Sequence, residues 1–395
     1  MNPRARGNLG PASHQRIYHT TEKKGGKQMF HHEEIHEKKR RVRELMAQRG
    51  LDGILLRKQC NFSWFTGGGL NLVGIATEMG VASLLITPEA EYALCNNIEA
   101  PRMDQEEQLT GQGYEIRSFP WYEDKEQQLV KELTNNGTVG CDSVFPGTEE
   151  ISESLNPLRY SLTSWEVERY KELGLLASQA IEETMLTIQP GDKECEIIGR
   201  LAERLWANRV DYITTFCAAD ERISLFRHPI ATEKKINTRA MLCVNARKRG
   251  LIISLTRFVQ FGKVPDDLQR KYEANVYIDC VLMANTIPGH PAVEAFKKGL
   301  AAYNTTGYAD EYQLHHQGGS IGYAGRDYKV NFTTTEVVRE NQGFAWNPSI
   351  TGSKSEDTML ATSGGPLLLS EPVTFPTMTV QTEGYTFVRP AILER

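Results

Sequence analysis

The sequence has no apolar run approaching the roughly 20 residues that a membrane-crossing helix needs, and its N-terminus has no apolar centre of the kind a signal peptide carries. A soluble protein with no membrane partner is expected. The seven cysteines, Cys60, Cys95, Cys141, Cys195, Cys217, Cys243 and Cys280, are scattered, odd in number and never spaced C-x-x-C. That argues against a disulfide framework or a zinc ribbon and fits a reducing, cytoplasmic setting. No long basic stripe is present: 45 Lys plus Arg face 50 Asp plus Glu, a formal charge of −5, which argues against nucleic acid as a partner. No repeat of the short periods that mark solenoids or propellers is found. What the chain does have is length, since 395 residues exceed one ordinary core and suit two domains.

Residues 1–28 are polar, rich in Gly, His, Lys and Arg, and aperiodic, so they read as a disordered extension. Translation starting at Met29 would leave them out, because Gly-Gly-Lys just upstream can be encoded by a purine-rich ribosome-binding sequence. From Glu33 to Arg49, Ile35, Val42, Leu45 and Met46 recur at helical spacing and Gly50 supplies a stop. Leu51–Leu56, Val81–Ile86 and Glu91–Cys95 read as strands, and Lys125–Leu133 as a helix. Together these predict a small α/β layer domain over 29–158. A second domain, 159–395, opens on a long helix toward Ile188 that Ser164 would cap, then a helix over Glu194–Asn208. Strands follow from Tyr212 to Phe261, then helices over Asp266–Met283 and Pro291–Thr306, then Gly-rich strand and loop.

The run Cys243–Arg257, CVNARKRGLIISLTR, has the outline of a strand pair that in one peptidase family reads D-x-G-A-x-x-x-G-x-x-x-D-x-T-R. Ile188-Gln189-Pro190-Gly191, Gly250 to Arg257 followed by Gly262, and Asn347-Pro348 with Ser355-Glu356-Asp357-Thr358 occur in that family's order. On these motifs the chain resembles the peptidase M24 family: creatinase, Xaa-Pro aminopeptidase, prolidase and methionine aminopeptidase. The resemblance implies an α/β (α+β) protein, with a small creatinase-like N-terminal domain and a C-terminal pita-bread domain whose two pseudo-symmetric halves enclose the site. It also implies a homodimer.

Most relatives so implied bind two metal ions through carboxylates and one imidazole. The five ligand positions fall here on Cys243, Ser254, Gly319, Asn347 and Glu356, of which only Glu356 is an acid. The first shell is thus short of about three negative charges that hard or borderline dications need, and the expectation is no cofactor, with no divalent metal bound. Cys243, His315, His316 and Glu356 are ligand types that zinc accepts, but adjacent histidines on a strand point to opposite faces and so are not expected to share one ion.

Creatinase, a metal-free member, places its catalytic His in an A-H-N-P context, which Phe226-Arg227-His228-Pro229 resembles. His228 is therefore the candidate proton shuttle, its imidazole suited to exchange near neutral pH, or else a structural group bonding a loop. Glu356 would orient it or bind a cation, or simply pair with a basic residue. Arg326 would hold a substrate carboxylate through its planar fork, or pair with Asp327 on the surface. Asn347, Gln317 and His316 would orient a polar substrate, and Cys243 is a candidate nucleophile against the usual inert buried thiol. Arg247-Lys248-Arg249 reads as a solvated turn. The expected activity is metal-independent hydrolysis of a C–N bond in a small amidine, ureido or cyclic amide metabolite. The alternatives are an Xaa-Pro peptidase with an altered metal site, or an inactive pita-bread module that binds a partner.

Overall fold

The computed structural model describes residues 30–395; the extension 1–28 and the start at Met29 lie outside the described residues. Helix His32–Arg49 buries Ile35, Val42, Leu45 and Met46, as the spacing predicts, and Gly50 ends it with a φ of 63°, donating its N–H to the last turn. The buried face also carries Lys38, fully enclosed, which donates to the Trp64 carbonyl at 2.6 Å, pairs with Glu34, and sits 2.7 Å from Glu166 of the later helix. Arg169 completes the cluster with bonds of 2.7 and 2.8 Å to Glu34. A charged knot, rather than apolar contact alone, therefore fastens the first helix to the second half of the chain.

Strands β1 (Gly53–Lys58), β2 (Met79–Ile86), β3 (Glu91–Asn96), β4 (Glu115–Phe119), β5 (Val139–Cys141) and β6 (Glu149–Glu150) form a mixed sheet in the order β4-β3-β2-β1-β5-β6. Helix Gln59–Phe65 follows β1 directly. Gly68, with a φ of 107°, lies against the backbone and side chain of Arg249, where a Cβ would approach the Arg249 Cβ to 2.9 Å. The absence of a side chain is what allows this close approach.

Helix Ser164–Thr187 is capped by Thr163, one residue before the expected Ser164. Thr163 has the extended backbone an N-cap needs, its hydroxyl accepts from the Glu166 N–H, and Glu166 accepts from the Thr163 N–H at 2.8 Å. After helix Glu194–Trp206 come β7 (Asp211–Ala219), β8 (Arg239–Lys248) and β9 (Leu251–Gln260). The run Cys243–Arg257 is thus a hairpin, with Arg249 and Gly250 turning at φ of 49° and 82°. Helices Asp266–Ala284 and Ala292–Thr305 precede β10 (Gly318–Ser320), β11 (Tyr328–Lys329), β12 (Gln342–Trp346), β13 (Ser349–Ile350), β14 (Ser353–Lys354), β15 (Asp357–Thr362), β16 (Gly365–Leu368), β17 (Thr377–Thr382), β18 (Tyr385–Pro390) and β19 (Leu393–Glu394).

Two larger sheets result, β19-β9-β8-β7 and β11-β10-β12-β15-β16, each backed by a helix pair, beside the two-stranded pairs β13-β14 and β17-β18. Leu173, Ile181, Ile197 and Leu201 pack on Leu242, Ile253 and Leu255 in one core. Val276, Leu282, Ala295 and Tyr303 pack beneath Phe344, Trp346 and Met359 in the other. The sheets meet where Thr256 donates its N–H to the Glu356 carbonyl at 3.0 Å, and where the Thr358 hydroxyl both donates to the Ser254 carbonyl and accepts its N–H at 2.9 Å. This is the pita-bread enclosure the motifs imply.

The basic turn differs from expectation at Arg247, which is 9% exposed. Asp211 lies opposite it in register on β7 and takes its Nε–H at 3.0 Å, while Gln59 takes an Nη1–H at 3.1 Å. Arg247 is therefore a strut between the two parts of the chain. No helix among the described residues is long and apolar enough to cross a membrane.

Candidate active site

Where the two sheets meet they leave a cavity of about 190 Å³ lined by His228, Cys243, His316, Arg326, Asn347, Lys354 and Glu356, among others. Arg326 also lines a larger neighbouring cavity of about 420 Å³, closed on its far side by Lys58, Gln59, Cys60 and Arg159. The hairpin β8–β9 supplies Cys243, and the segments flanking β12 and β15 supply Asn347 and Glu356.

Glu356 is 5% exposed; it accepts from the Thr256 hydroxyl at 2.8 Å and pairs with Lys354 Nζ at 2.8 Å. Burial works to raise its pKa, but the Lys354 ammonium and the two hydrogen bonds outweigh this and hold it below the ordinary value. For Lys354, burial opposes the charge, while Cys243 and Glu356 favour it, and the net shift is upward. Burial raises the Cys243 pKa and so keeps that thiol neutral, which leaves Glu356 as the partner that matters. Lys354 went unnoticed in the sequence. The available signal was its place two residues before Glu356 in extended chain, where alternate side chains share a face.

His228 does not stand alone. Its Nε2 lies 3.1 Å from Nε2 of His315, and its ring stacks on Phe216 at 5.2 Å. Arg227 holds the loop by donating to Glu311 and to the Thr351 hydroxyl, each at 2.9 Å. His228 is thus an imidazole engaged by a second imidazole. His315 and His316 stack with centroids 4.3 Å apart, contrary to the expectation that neighbours point to opposite faces. They precede β10 in a bend rather than lying on a strand, and the Gln317 amide clamps that bend by donating to the His315 carbonyl at 2.6 Å. Ligand atoms of all three histidines fall within 4.8 Å of one another. Burial lowers all three pKa values, to about 2 for His315 with help from Lys354, and to about 4 for His316 with help from Arg326. The rings are neutral, the form that coordinates metals.

Gln317 is excluded as a substrate group, because the Tyr303 hydroxyl donates to its Oε1 at 2.7 Å and its amide N–H groups are spent on the Tyr312 and His315 carbonyls. Asn347 is different: its Oδ1 is buried without a partner beside the cavity. Arg326 Nη1 donates to the Gly319 and Ala345 carbonyls at 3.1 and 2.9 Å. Arg326 does not pair with Asp327, which is buried and bonded to Arg159 at 2.6 Å. Cys243 faces Phe216 in register, and His228 turns its Nε2 to His315, so the thiol has no base among the described hydrogen bonds. The nucleophile role is corrected accordingly.

The five positions of the relatives' metal site do not fit a pair of ions. Ser254 donates to Asn245 at 2.8 Å, Glu356 is taken by Lys354, and Cys243 is held neutral. At Gly319, with a φ of 155°, a Cβ would come 2.1 Å from the Tyr328 carbonyl oxygen, so this backbone has no room for an imidazole.

Two packed helix-and-sheet halves enclosing a polar cavity, with an α/β layer closing one side, have the pita-bread architecture. The comparisons support membership of the peptidase M24 family of creatinase and prolidase. Residues 38–155 match the creatinase/prolidase N-terminal domain. The chain is 20% identical over 344 residues to an Xaa-Pro dipeptidase of Pyrococcus horikoshii, covering 84% of this chain and 96% of the relative. Among solved structures it is similar to an Xaa-Pro dipeptidase from Bacillus anthracis, with a TM-score of 0.73 and 19% identity over 91% of this chain and all of that one. It is also similar to the prolidase from Pyrococcus horikoshii, with a TM-score of 0.72 and 19% identity over 85% and 99% of the two chains.

These findings overturn the expectation that no cofactor is bound and that divalent metal is excluded. The relatives matched along nearly their whole length are the dipeptidases and prolidases for which the resemblance implies metal chemistry, and three neutral imidazoles converge at the cavity. Ligand counting at the relatives' positions missed them because His228 and His315 lie 87 residues apart and meet only through the fold.

Proposed function

We propose that this chain is a hydrolase of the Xaa-Pro dipeptidase kind, cleaving the C–N bond of a small peptide that carries a free carboxylate. The relatives' names support the reaction class. The observation that carries the substrate class is the charge around the 190 Å³ cavity, where Arg326, Lys329 and Lys354 face a single acid, Glu356. Lys354 is neutralised by Glu356, which leaves two cations for a substrate carboxylate. A space of this size suits a compound of a few residues at most. Arg326 spends Nη1 on backbone carbonyls, so the rest of its fork would take the carboxylate. The unpaired Asn347 oxygen would accept a substrate N–H, and turnover would depend on the imidazole cluster that includes His228. Small amidine, ureido and cyclic amide acids share the carboxylate chemistry and belong in the same substrate panel. Assembly as a homodimer is part of the same reading and is checked by light scattering.

The test is steady-state kinetics on Xaa-Pro dipeptides and on their C-terminal amides, with divalent metal supplied. Replacing Arg326 by Ala should raise KM for the acids about 10- to 100-fold, the worth of one charge-assisted contact, and leave the amides nearly unchanged. Failure of the parent protein to cleave any member of the panel removes the hydrolase reading and leaves a binding protein without turnover.

A further inference from the structure

Only nine histidines occur in the chain, and three of them, from two segments far apart in sequence, present ligand atoms within 4.8 Å of one another, with His228 and His316 lining the cavity. The Nε2 atoms of His228 and His315 are 3.1 Å apart, close to the roughly 3.3 Å edge that a tetrahedral ion imposes on nitrogens held at about 2.0–2.1 Å. Two imidazole nitrogens meeting head to head can share only one proton between them. The Nδ1 atoms of His315 and His316 are buried with no hydrogen-bond partner, so the cluster as it stands leaves imidazole nitrogens unsatisfied.

The geometry points to a single borderline divalent cation of the zinc class, held by His228, His315 and His316, in place of the ion pair that the relatives' positions would hold. Imidazole nitrogens suit zinc, copper or nickel better than magnesium or calcium, which take oxygen. The supports are those expected of a built site: Phe216 stacks beneath His228, Arg227 fixes its loop to Glu311 and Thr351, and Gln317 clamps the His315 bend. Of the neighbouring cations, Lys354 is matched by Glu356 and Arg227 by Glu311, while Arg326 and Lys329 still oppose the charge of the ion. Three protein ligands would leave a fourth position open for water or substrate, and His228 is exposed. The inference deepens the hydrolase reading by naming the ion it would use, and the binding itself is measured without turnover.

The experiment titrates the metal-stripped full chain with Zn²⁺ by calorimetry and with Co²⁺ by visible absorption. One high-affinity ion per chain is expected, with the intense visible bands of tetrahedral Co²⁺. Kd should weaken more than about 100-fold in His228→Ala and in His315→Ala, since each removes one of three ligands. Circular dichroism confirms that each variant is folded, and the exposed His228 provides the milder substitution. Glu356→Gln and Cys243→Ser should retain the ion. Because the readout is the loss in these two variants, weak binding by imidazoles elsewhere, such as His31 and His32, does not enter. Two tight ions per chain, an ion that survives both histidine variants, or no ion held at micromolar concentration overturns the assignment. One ion bound without cleavage of any Xaa-Pro dipeptide upholds the site and sinks the hydrolase reading alone.

Discussion

Replacing Lys354 by Met tests the electrostatics of the site most directly. Lys354 and Glu356 are 6% and 5% exposed and 2.8 Å apart, so the change leaves a buried carboxylate whose remaining partner is the Thr256 hydroxyl. Removing one member of a buried ion pair costs about 3–5 kcal/mol, because the other charge stays desolvated. With about 2–4 °C per kcal/mol for a domain of this size, the melting temperature should fall by roughly 6–20 °C. The pH dependence should also reverse. In the parent, the folded Glu356 pKa lies below its unfolded value, so its stabilisation is present above the unfolded pKa and lost as pH falls through the folded one. In Lys354→Met burial, the largest cause, is opposed by one hydrogen bond and the Arg326 charge, and it places the folded pKa above the unfolded value. The penalty is then full at pH 8 and is relieved as pH falls and the carboxylate protonates. Thermal melts followed by circular dichroism at pH 8 and pH 5 should show the variant's deficit shrinking on acidification. The double variant Lys354→Met with Glu356→Gln should recover most of the loss, which isolates the coupling between the two groups. A deficit below about 1 kcal/mol, or one of equal size at both pH values, refutes the argument.

Lys38→Met should cost about 3–5 kcal/mol, since it leaves the buried Glu166 without its cation and the buried Glu34 with Arg169 alone, and thermal melts will register it. Thr163→Ala should cost about 1 kcal/mol through loss of the helix cap, read in the same way. Gly319→His, which restores a ligand type of the relatives, should not create a second ion site. It should instead lower stability by about 3 kcal/mol or more, because its Cβ meets the Tyr328 carbonyl, and calorimetric metal stoichiometry together with melting temperature reports both effects.

Elements whose residues form local patterns were legible before the fold. The first helix, the β2–β3 pair and the hairpin around Arg249-Gly250 follow from spacing, turn residues and caps that act within a few positions. The site was legible only as far as motifs carried it: Glu356, Asn347, Arg326 and His228 do line one cavity. The partners of these residues were not, because they are set by topology. Asp327 looks like a companion for its neighbour Arg326, yet the fold brings Arg159 to it from 168 positions away. Gln317 looks like a substrate group by position, but the fold delivers the Tyr303 hydroxyl to it across 14 residues and uses it up. The pleat rule, left unused at Lys354 and Glu356 where it would have revealed a shared face, misled at His315 and His316, because it holds only where the chain is extended.

The two halves of the site make one physical argument. Two closely spaced dications require several anionic oxygens to offset their mutual repulsion and desolvation. Here the last acid is already matched by a lysine whose ammonium stands beside it, so that side of the cavity has no remaining attraction for a cation. The opposite rim supplies three uncharged nitrogens, which can hold one ion without any carboxylate. A cavity organised this way keeps a cationic side for a substrate's acid group, at Arg326 and Lys329, apart from the imidazole rim. Exchange of Lys354 for a neutral residue should then loosen the substrate side through Glu356 while leaving metal stoichiometry at one. A rise to two ions per chain in Lys354→Met would show that the lysine, rather than the missing carboxylates, is what excludes the second ion.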